Sequence, residues 1–352
     1  MTHRSSNVIH SRQWRWAALV VACVPVFGCS DPARGLPRRP AGAAAAGQSW
    51  HDKHGWKAAD FFTDPQVVAL CEAIQANDLE RMRQLIAGGA DVNARGKGNM
   101  TPLLWAFPNE KLERFQLLLE AGADPNVYTD SDFGTPHAFR PGDSVTHMVS
   151  RSTFGHFWPV FEHGGDPDLP CKVPGFVGMT PVYLVIQSGA GDKRERISRL
   201  AKLGGSMNQA AGVGSSPLVT AEGWFGRYDL CLHLLDLGAD PHAYEGDGVT
   251  KLAHFLAGRL EQQQRGLGQL RDASPEKMAA FNQLVERLES VGESLAAAQA
   301  DRARWAAVSD LKELRAMQRK EREEREHRER EAAMDTPADG EAAEARAAAA
   351  TP

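Results

Sequence analysis

The chain lacks the sequence signatures of the common enzyme classes. Its 352 residues contain no His-Glu-x-x-His, no Gly-x-Ser-x-Gly and no phosphate-binding loop, the patterns of zinc proteases, serine hydrolases and P-loop nucleotidases. His51, Asp52 and His54 come nearest to a metal cluster, but no regular element is predicted to fix their geometry. We therefore expect a protein that is not an enzyme and has no catalytic residue, metal or cofactor.

Positive charge is not in excess, and long apolar runs are scarce. Lys and Arg number 40 against 45 Asp and Glu, for a formal net charge of −5, which argues against a nucleic-acid partner. The most apolar run, 16–27, has twelve residues, whereas a membrane-spanning helix takes roughly 20. No other segment is long and apolar enough to span a bilayer, so we expect contact with a membrane through a lipid anchor only.

The apolar run 16–27 has the features of a targeting segment. It follows three arginines and ends at Val26-Phe27-Gly28-Cys29. This ending resembles the lipobox of bacterial lipoproteins, in which a signal peptidase cuts before a cysteine that is then lipid-modified. The resemblance implies a signal peptide over 1–28, lipidation of Cys29 and a flexible tether within 29–57. Ser30, in place of an aspartate, favours the outer membrane, with the protein facing the periplasm. The alternative is an ordinary secretory signal followed by a chance cysteine.

The rest of the chain repeats itself. Five apolar stretches each end in a glycine, at positions 89, 122, 164, 204 and 238, followed by a short polar turn. The spacings of 33, 42, 40 and 34 residues are typical of a helical repeat array. Cys71 and Cys231 fall in predicted helices four repeats apart, too far for a disulfide, which needs Cα atoms within about 7 Å. We expect these two and Cys171 to be buried free thiols.

The second repeat shows the local rules most clearly. Thr101-Pro102 predicts a helix start, and the periodicity of 112–120 predicts a second helix. Gly122 suits the left-handed residue that ends a helix. Neither helix can bury its apolar face alone, so neighbouring repeats must stack on each other. The predicted fold class is an all-α solenoid.

Two motifs in this repeat resemble the ankyrin repeat. These are Thr101-Pro102-Leu103 at the first helix and Leu118-Leu119-Glu120-Ala121-Gly122-Ala123-Asp124-Pro125-Asn126 at the end of the second. The resemblance covers about residues 58–295, in about six repeats, and implies a concave face made by the first helices and the turn tips. A charged helix is predicted over 296–333 and a disordered tail over 334–352. The charged helix is expected to be solvated, the alternative being a partner-binding helix.

The family's binding surface implies a set of contact residues in this chain. Two longer connections, 127–143 and 168–178, are either part of that surface or neutral insertions. Trp224 and Phe225 either bind a partner or tuck into the groove between helices, whereas Trp105 is expected in the core. The predicted protein-binding residues are Lys97, Asn99, Met100, Asn109, Tyr128, Phe133, Arg151, Phe154, Phe176, Gln187, Asp192, Trp224, Phe225 and Arg227.

The whole layout is similar to a narrower group of proteins. A lipobox and tether are followed by Ala59-Asp60-Phe61-Phe62-Thr63-Asp64-Pro65-Gln66-Val67 and then by Met100-Thr101-Pro102-Leu103-Leu104-Trp105-Ala106. This resembles periplasmic ankyrin lipoproteins encoded with type VI secretion lipase effectors, where they act as immunity proteins. The resemblance implies a protein partner, a secreted phospholipase effector. The rival hypothesis is an envelope scaffold that organises periplasmic proteins without inhibiting an enzyme.

Overall fold

The structure is a computed structural model that describes residues 49–108, 111–212, 214–308 and 310–335. The predicted signal peptide, Cys29, most of the tether, Asn109 and most of the predicted tail lie outside the described residues. The chain divides into two units, Met1–Gly55 and Trp56–Pro352. The described part of the first unit holds the short helix α1 (Trp50–Lys53), which Ser49 caps.

The second unit is built from helices joined by loops. In chain order the helices are α2 Pro65–Ala76, α3 Leu79–Ala87, α4 Pro102–Ala106, α5 Leu112–Glu120, α6 Val145–Arg151, α7 Phe157–Glu162, α8 Pro181–Gln187, α9 Lys193–Lys202, α10 Pro217–Phe225, α11 Tyr228–Asp236, α12 Leu252–Gln264, α13 Pro275–Ser290, α14 Leu295–Ala306 and α15 Leu311–Asp335. No helix among the described residues has both the length and the apolar character needed to cross a membrane.

The helices form two layers of stacked pairs. Each even-numbered helix from α2 to α12 packs against the helix that follows it, and neighbouring pairs pack side by side. The first helices therefore make one layer and the second helices make the other. With its long loops between pairs, the stack is an all-α ankyrin-repeat solenoid, as the sequence predicted.

The ends of the helices follow local chemistry. Thr101 Oγ1 accepts a hydrogen bond from the Leu104 amide at 3.1 Å and so caps α4. Gly122 has a φ of +86° directly after α5, a conformation that residues with a side chain resist. Both features, and the bounds Leu112–Glu120 of α5, confirm the prediction for this repeat.

The core lies between the two layers. Trp105 is fully buried, and its indole Nε1–H donates to the Cys71 carbonyl at 2.9 Å, which confirms its place in the core. Cys71, Cys171 and Cys231 are buried free thiols, as predicted. Burial raises the pKa of Cys71 and Cys231 well above the usual value and that of Cys171 to about 11.

Five loops connect one repeat to the next, and we call them tip loops 1 to 5. They span 88–101, 121–144, 163–180, 203–216 and 237–251, and residue 213 of tip loop 4 is not described. Single backbone hydrogen bonds join neighbours: Asp130 N to Gly98 O at 3.0 Å, Lys172 N to Gly142 O at 3.1 Å and Gly212 N to Val177 O at 2.9 Å. Tip loops 1 to 4 are thus linked in series.

Asparagine side chains link the bases of the same loops. Asn93 Nδ2 donates to the Gly122 carbonyl at 2.9 Å, and Asn93 Oδ1 accepts from the Asp124 amide at 2.7 Å. Asn126 and Asn208 make the same two bonds to the repeats that follow them. We call this set of bonds the asparagine ladder. It spans repeats because one side chain supplies both a donor and an acceptor.

The C-terminal helices differ from the prediction of one charged, solvated helix. α14 packs beside α12, in the place that a further first helix would take. α15 then lies against the array rather than alone in solvent: the Arg325 guanidinium stacks on the Tyr244 ring at 3.7 Å and donates to the Gly248 carbonyl. Glu321 pairs with Arg304 at 2.9 Å. The exposed-helix prediction considered only contacts within the helix and therefore missed those to tip loop 5.

In the asparagine ladder, Asp168 stands at the position that asparagine occupies in the first, second and fourth repeats, and this difference provides a test. Asp168 accepts from the Ser206 amide at 2.8 Å, but an ionised carboxylate has no hydrogen to donate to the next glycine carbonyl. We predict that Asp168→Asn raises the free energy of unfolding by about 1 kcal/mol, the usual net value of one hydrogen bond. Chemical denaturation at pH 7 measures this value. Asn208→Asp, the reverse exchange in an intact rung, should lower it; a change of the same sign in both variants would contradict the interpretation.

Candidate binding surface

The predicted contact residues fall at two opposite ends of the helix pairs. Each first helix runs from a tip loop to the short connection that leads to its second helix, so the tip loops and these connections are separated by the length of a helix. The structure therefore does not bring all predicted residues together. Lys97, Asn99, Met100, Tyr128, Phe133 and Phe176 belong to tip loops. The other predicted residues that the structure describes end a first helix or lie in the connections.

Two of the tip residues face inward. Met100 is fully buried, so its assignment to the binding surface is wrong: it precedes α4 and packs in the core. The Phe133 ring is half-buried and lies 5.7 Å from Trp56, 6.0 Å from Phe61 and 5.8 Å from Phe139, measured between ring centres. Phe133 has a φ of 51°, which costs energy for an aromatic residue. These ring contacts hold it in that conformation, so its first role is to anchor tip loop 2.

Lys97 and Asn99 lie on tip loop 1. Lys97 is exposed and lines a cleft of about 410 Å³ together with Asp60, Asp64 and Arg95. Asn99 Nδ2 donates to the Asp130 carboxylate at 2.5 Å and so joins tip loops 1 and 2. Asn99 thus has a structural role beside its predicted one.

Tyr128 and Phe176 lie where the two long insertions meet. The Tyr128 hydroxyl donates to the Pro170 carbonyl at 2.7 Å, and Lys172 Nζ lies 3.7 Å from the centre of the Tyr128 ring. In the opposite direction, the Arg140 guanidinium lies 5.4 Å from the centre of the Phe176 ring. Each loop thus contributes one aromatic ring and one cation to a pair of reciprocal cation–π contacts. The insertions are therefore structured and interlocked.

Arg151 and Gln187 reach the same region from the first helices. Each is the last residue of its helix. Its side chain reaches back to a residue that lies just before the start of the same helix. The Arg151 guanidinium binds the buried Asp143 carboxylate, with Nη1 to Oδ1 at 3.1 Å, and the side chain stays 31% exposed. Gln187 Nε2 lies 3.8 Å from the Met179 sulfur. The structure therefore groups Tyr128, Phe176, Arg151 and Gln187 on what we call the tip face.

The remaining predicted residues lie at the connections between first and second helices. Phe154 is 39% exposed, Asp192 pairs with Arg196 at 2.8 Å, and Arg227 makes two bonds of 3.1 Å to Asp229. Trp224 and Phe225 form the end of α10, and their side chains lie outside the described residues. This edge is separate from the tip face.

Buried cations also lie at the edge formed by the connections between first and second helices. Arg114 is almost fully buried and donates to the carbonyls of Ile74 at 2.7 Å and Ala106 at 3.0 Å, and also to that of Pro108. Burial lowers its pKa to about 10. Lys193 Nζ donates to the Ile186 carbonyl at 2.8 Å, and burial, helped by nearby Arg227, lowers its pKa to about 8. These side chains satisfy carbonyls at the ends of first helices, which would otherwise lack partners.

His147 of the third repeat is held by hydrogen bonds at both of its ring nitrogens. His147 Nδ1 lies 2.8 Å from Ser144 Oγ and His147 Nε2 lies 3.0 Å from the Leu169 carbonyl, while Ser144 caps α6. Both bonds of the ring are thus taken by the fold. Among the described residues, no group of three or more His, Cys, Asp or Glu side chains is placed to hold a metal ion.

The sequence prediction did not include three residues of the tip face. Arg140 and Lys172 carry its cations, and Val177 is 55% exposed beside Phe176. All three lie in or beside the two long insertions, and that location was the available signal. What sequence could not supply was which side chain of one loop meets which ring of the other.

The known proteins that the chain resembles match only parts of it. No family model matches the chain. Mitochondrial disaggregases of Bos taurus and Homo sapiens are 45% and 44% identical over 62 residues, which is 18% of this chain and 9% of each of those proteins. The chain thus matches under a tenth of the length of these relatives. The crystal structure of the ankyrin repeat domain of Bcl-3 has a TM-score of 0.45 and 19% identity, over 64% of this chain and 86% of that one.

His156 allows a test of how the third repeat is packed. Its ring is 1% exposed, it lies 4.7 Å from the Phe115 ring centre, and neither ring nitrogen has a hydrogen-bond partner among the described residues. Burial, together with nearby Arg114, lowers its pKa. The folded state therefore favours the neutral form of His156. The free energy of unfolding falls as pH drops below about 6.5, the pKa of an unfolded histidine.

We predict that His156→Leu raises the free energy of unfolding by about 1 kcal/mol at pH 7, because no hydrogen bond is lost and an unsatisfied polar group is removed. The difference from the unchanged protein should widen between pH 7 and pH 5. Thermal unfolding across this range gives the measurement, and the other histidines are common to both proteins. A constant difference across the range would show that folding does not lower the pKa of His156.

Proposed function

We propose that this protein is a non-enzymatic binding module and that its tip face binds a protein partner. The ankyrin-repeat array is a protein-interaction fold, and solenoids of this kind bind along extended surfaces made by successive repeats. The observation that carries the proposal is the interlocking of tip loops 2 and 3. Interfaces are enriched in aromatic residues and arginine, and this contact combines Tyr128, Phe176 and Arg140 with the exposed Val177.

The partner we propose is a secreted lipase effector, which the protein neutralises as an immunity protein. The support for this finer step is the layout of the sequence, which resembles that of periplasmic ankyrin lipoproteins encoded with type VI secretion lipase effectors. A module held on the periplasmic side by a lipid at Cys29 would meet a membrane-attacking enzyme where it acts. The same layout is compatible with an envelope scaffold, and the survival experiment below separates the two.

The binding role is tested by a pair of valine variants. Val177 is 55% exposed on tip loop 3, and Val291 is 40% exposed just after α13, beyond tip loop 5 in the chain. Placing a carboxylate at either site should leave folding intact, because both side chains already face solvent. We predict that Val177→Asp weakens binding to the effector at least tenfold, the size expected when a charge enters the centre of an interface, whereas Val291→Asp does not.

The readout is survival of cells that express a secreted lipase effector in the periplasm, taken from the gene next to this protein's where that gene encodes one. The unchanged protein and Val291→Asp should protect, and Val177→Asp should not. Equal killing with and without the unchanged protein would remove the immunity hypothesis and leave the scaffold hypothesis. Protection by all three proteins would keep immunity but place the binding surface elsewhere.

The lipid anchor is tested by the cysteine itself. The motif ending at Cys29 predicts that Cys29→Ala abolishes lipid attachment and moves the protein from the outer-membrane fraction. We expect the lipid to provide all of the protein's affinity for the membrane, because an acyl chain contributes about 0.8 kcal/mol per buried CH₂. Cell fractionation and metabolic labelling with a fatty acid measure both effects. Ser30→Ala is the matched control, and an unchanged fraction for Cys29→Ala would contradict the lipoprotein prediction.

A further inference from the structure

Two cations of the tip face, Arg140 and Lys172, have no carboxylate partner among the described residues. Lys172 and Arg140 each lie over an aromatic ring, and neither forms an ion pair with any described residue. The nearby Asp143 carboxylate is already bound by Arg151 and is fully buried. Two positive charges therefore remain uncompensated on the surface of a chain whose formal net charge is −5.

These two cations are held in place before any partner arrives. Lys172 is fixed at its backbone by the bond to the Gly142 carbonyl at 3.1 Å and at its ammonium group by the Tyr128 ring. The Phe176 ring beneath Arg140 packs in turn on the cluster formed by Cys171, Val173 and Tyr183. Because long cationic side chains usually lose much rotamer freedom on binding, this arrangement reduces the entropy cost of contact with an anion.

Apolar surface lies directly beside the charges. Val177 follows Phe176 in tip loop 3 and is 55% exposed, and its carbonyl is bound by the Gly212 amide of tip loop 4 at 2.9 Å. The position of Val177 is therefore fixed by the neighbouring loop. A ligand that satisfies the whole patch needs carboxylates for the cations and an aliphatic or aromatic side chain for Val177.

We propose that the tip face recognises an acidic segment of a protein partner in which carboxylates flank an apolar side chain. The arginine can bind a carboxylate through two parallel hydrogen bonds, a geometry that suits Asp or Glu. The formal net charge of −5 disfavours a long polyanion such as nucleic acid or an anionic membrane. This inference rests on the proposed binding role and names the chemistry of the partner.

The test uses the full chain and synthetic probes. The first probe is a labelled peptide of glutamates around one tryptophan, and the second has glutamine in place of every glutamate. The variant Arg140→Gln with Lys172→Gln removes both charges. Its control, Arg83→Gln with Lys202→Gln, removes the same charge from exposed positions on α3 and α9. A third variant, Arg140→Lys with Lys172→Arg, keeps both cations over their rings.

The expected result is saturable binding of the glutamate peptide that weakens with added salt. The charge-removing variant should bind it at least tenfold less tightly, whereas the control and the exchanged variant stay within about threefold of the unchanged protein. Thermal unfolding of each variant shows whether folding is preserved. Equal binding of the glutamine peptide, no saturable binding of the glutamate peptide, or tighter binding of single-stranded DNA or phosphatidylglycerol vesicles would overturn the inference.

Failure of this inference and failure of the proposed function give different results. If the tip face binds a partner through other chemistry, Val177→Asp still abolishes protection in the survival experiment while the charge-removing variant protects. If the protein binds no effector, protection is absent for every variant, and the peptide measurements still report whether the two cations select carboxylates.

Discussion

The asparagine ladder holds the tip loops in register, and the tip face depends on it. Asn126, at the base of tip loop 2, bonds to the Gly164 carbonyl at 2.8 Å and to the Asp166 amide at 3.0 Å, both at the base of tip loop 3. These loops make their cation–π contacts farther along the chain, at Tyr128 and Phe176. A shift of one repeat against the next would separate ring from cation. The ladder therefore sets the geometry on which binding would rely.

The opposite edge of the array is closed by different means. There, the ends of first helices present carbonyls that no helix can satisfy, and buried cations such as Arg114 and Arg196 donate to them. Arg196 also binds Asp192 and stacks on the Phe157 ring at 4.7 Å. The buried arginines at this edge bind carbonyls and carboxylates within the fold, whereas Arg140 and Lys172 at the tips have no carboxylate partner among the described residues. This contrast is why we place binding at the tips.

Local rules made the repeat predictable, and contacts between loops made the site less so. The Thr101 cap, the bounds of α5 and the left-handed Gly122 follow from a few adjacent residues. Met100 was predicted at the surface but is buried. The anchoring role of Phe133 was missed because it depends on contacts with segments far away in the chain, such as Trp56. Arg151 was predicted at the connection that follows its helix, whereas its long side chain folds back toward the tip loops. The periodicity of the sequence does not indicate in which direction such a long side chain extends.

The two ends of the array explain why the middle tip loops are the available ones. At the beginning, the Phe133 ring packs within 3 Å of where a side chain on Gly98 would start, so tip loops 1 and 2 close on each other. At the end, α15 covers tip loop 5 through the contact of Arg325 with Tyr244. Between these ends, Val177 of tip loop 3 is exposed, and Arg140 and Lys172 are already oriented by the rings beneath them.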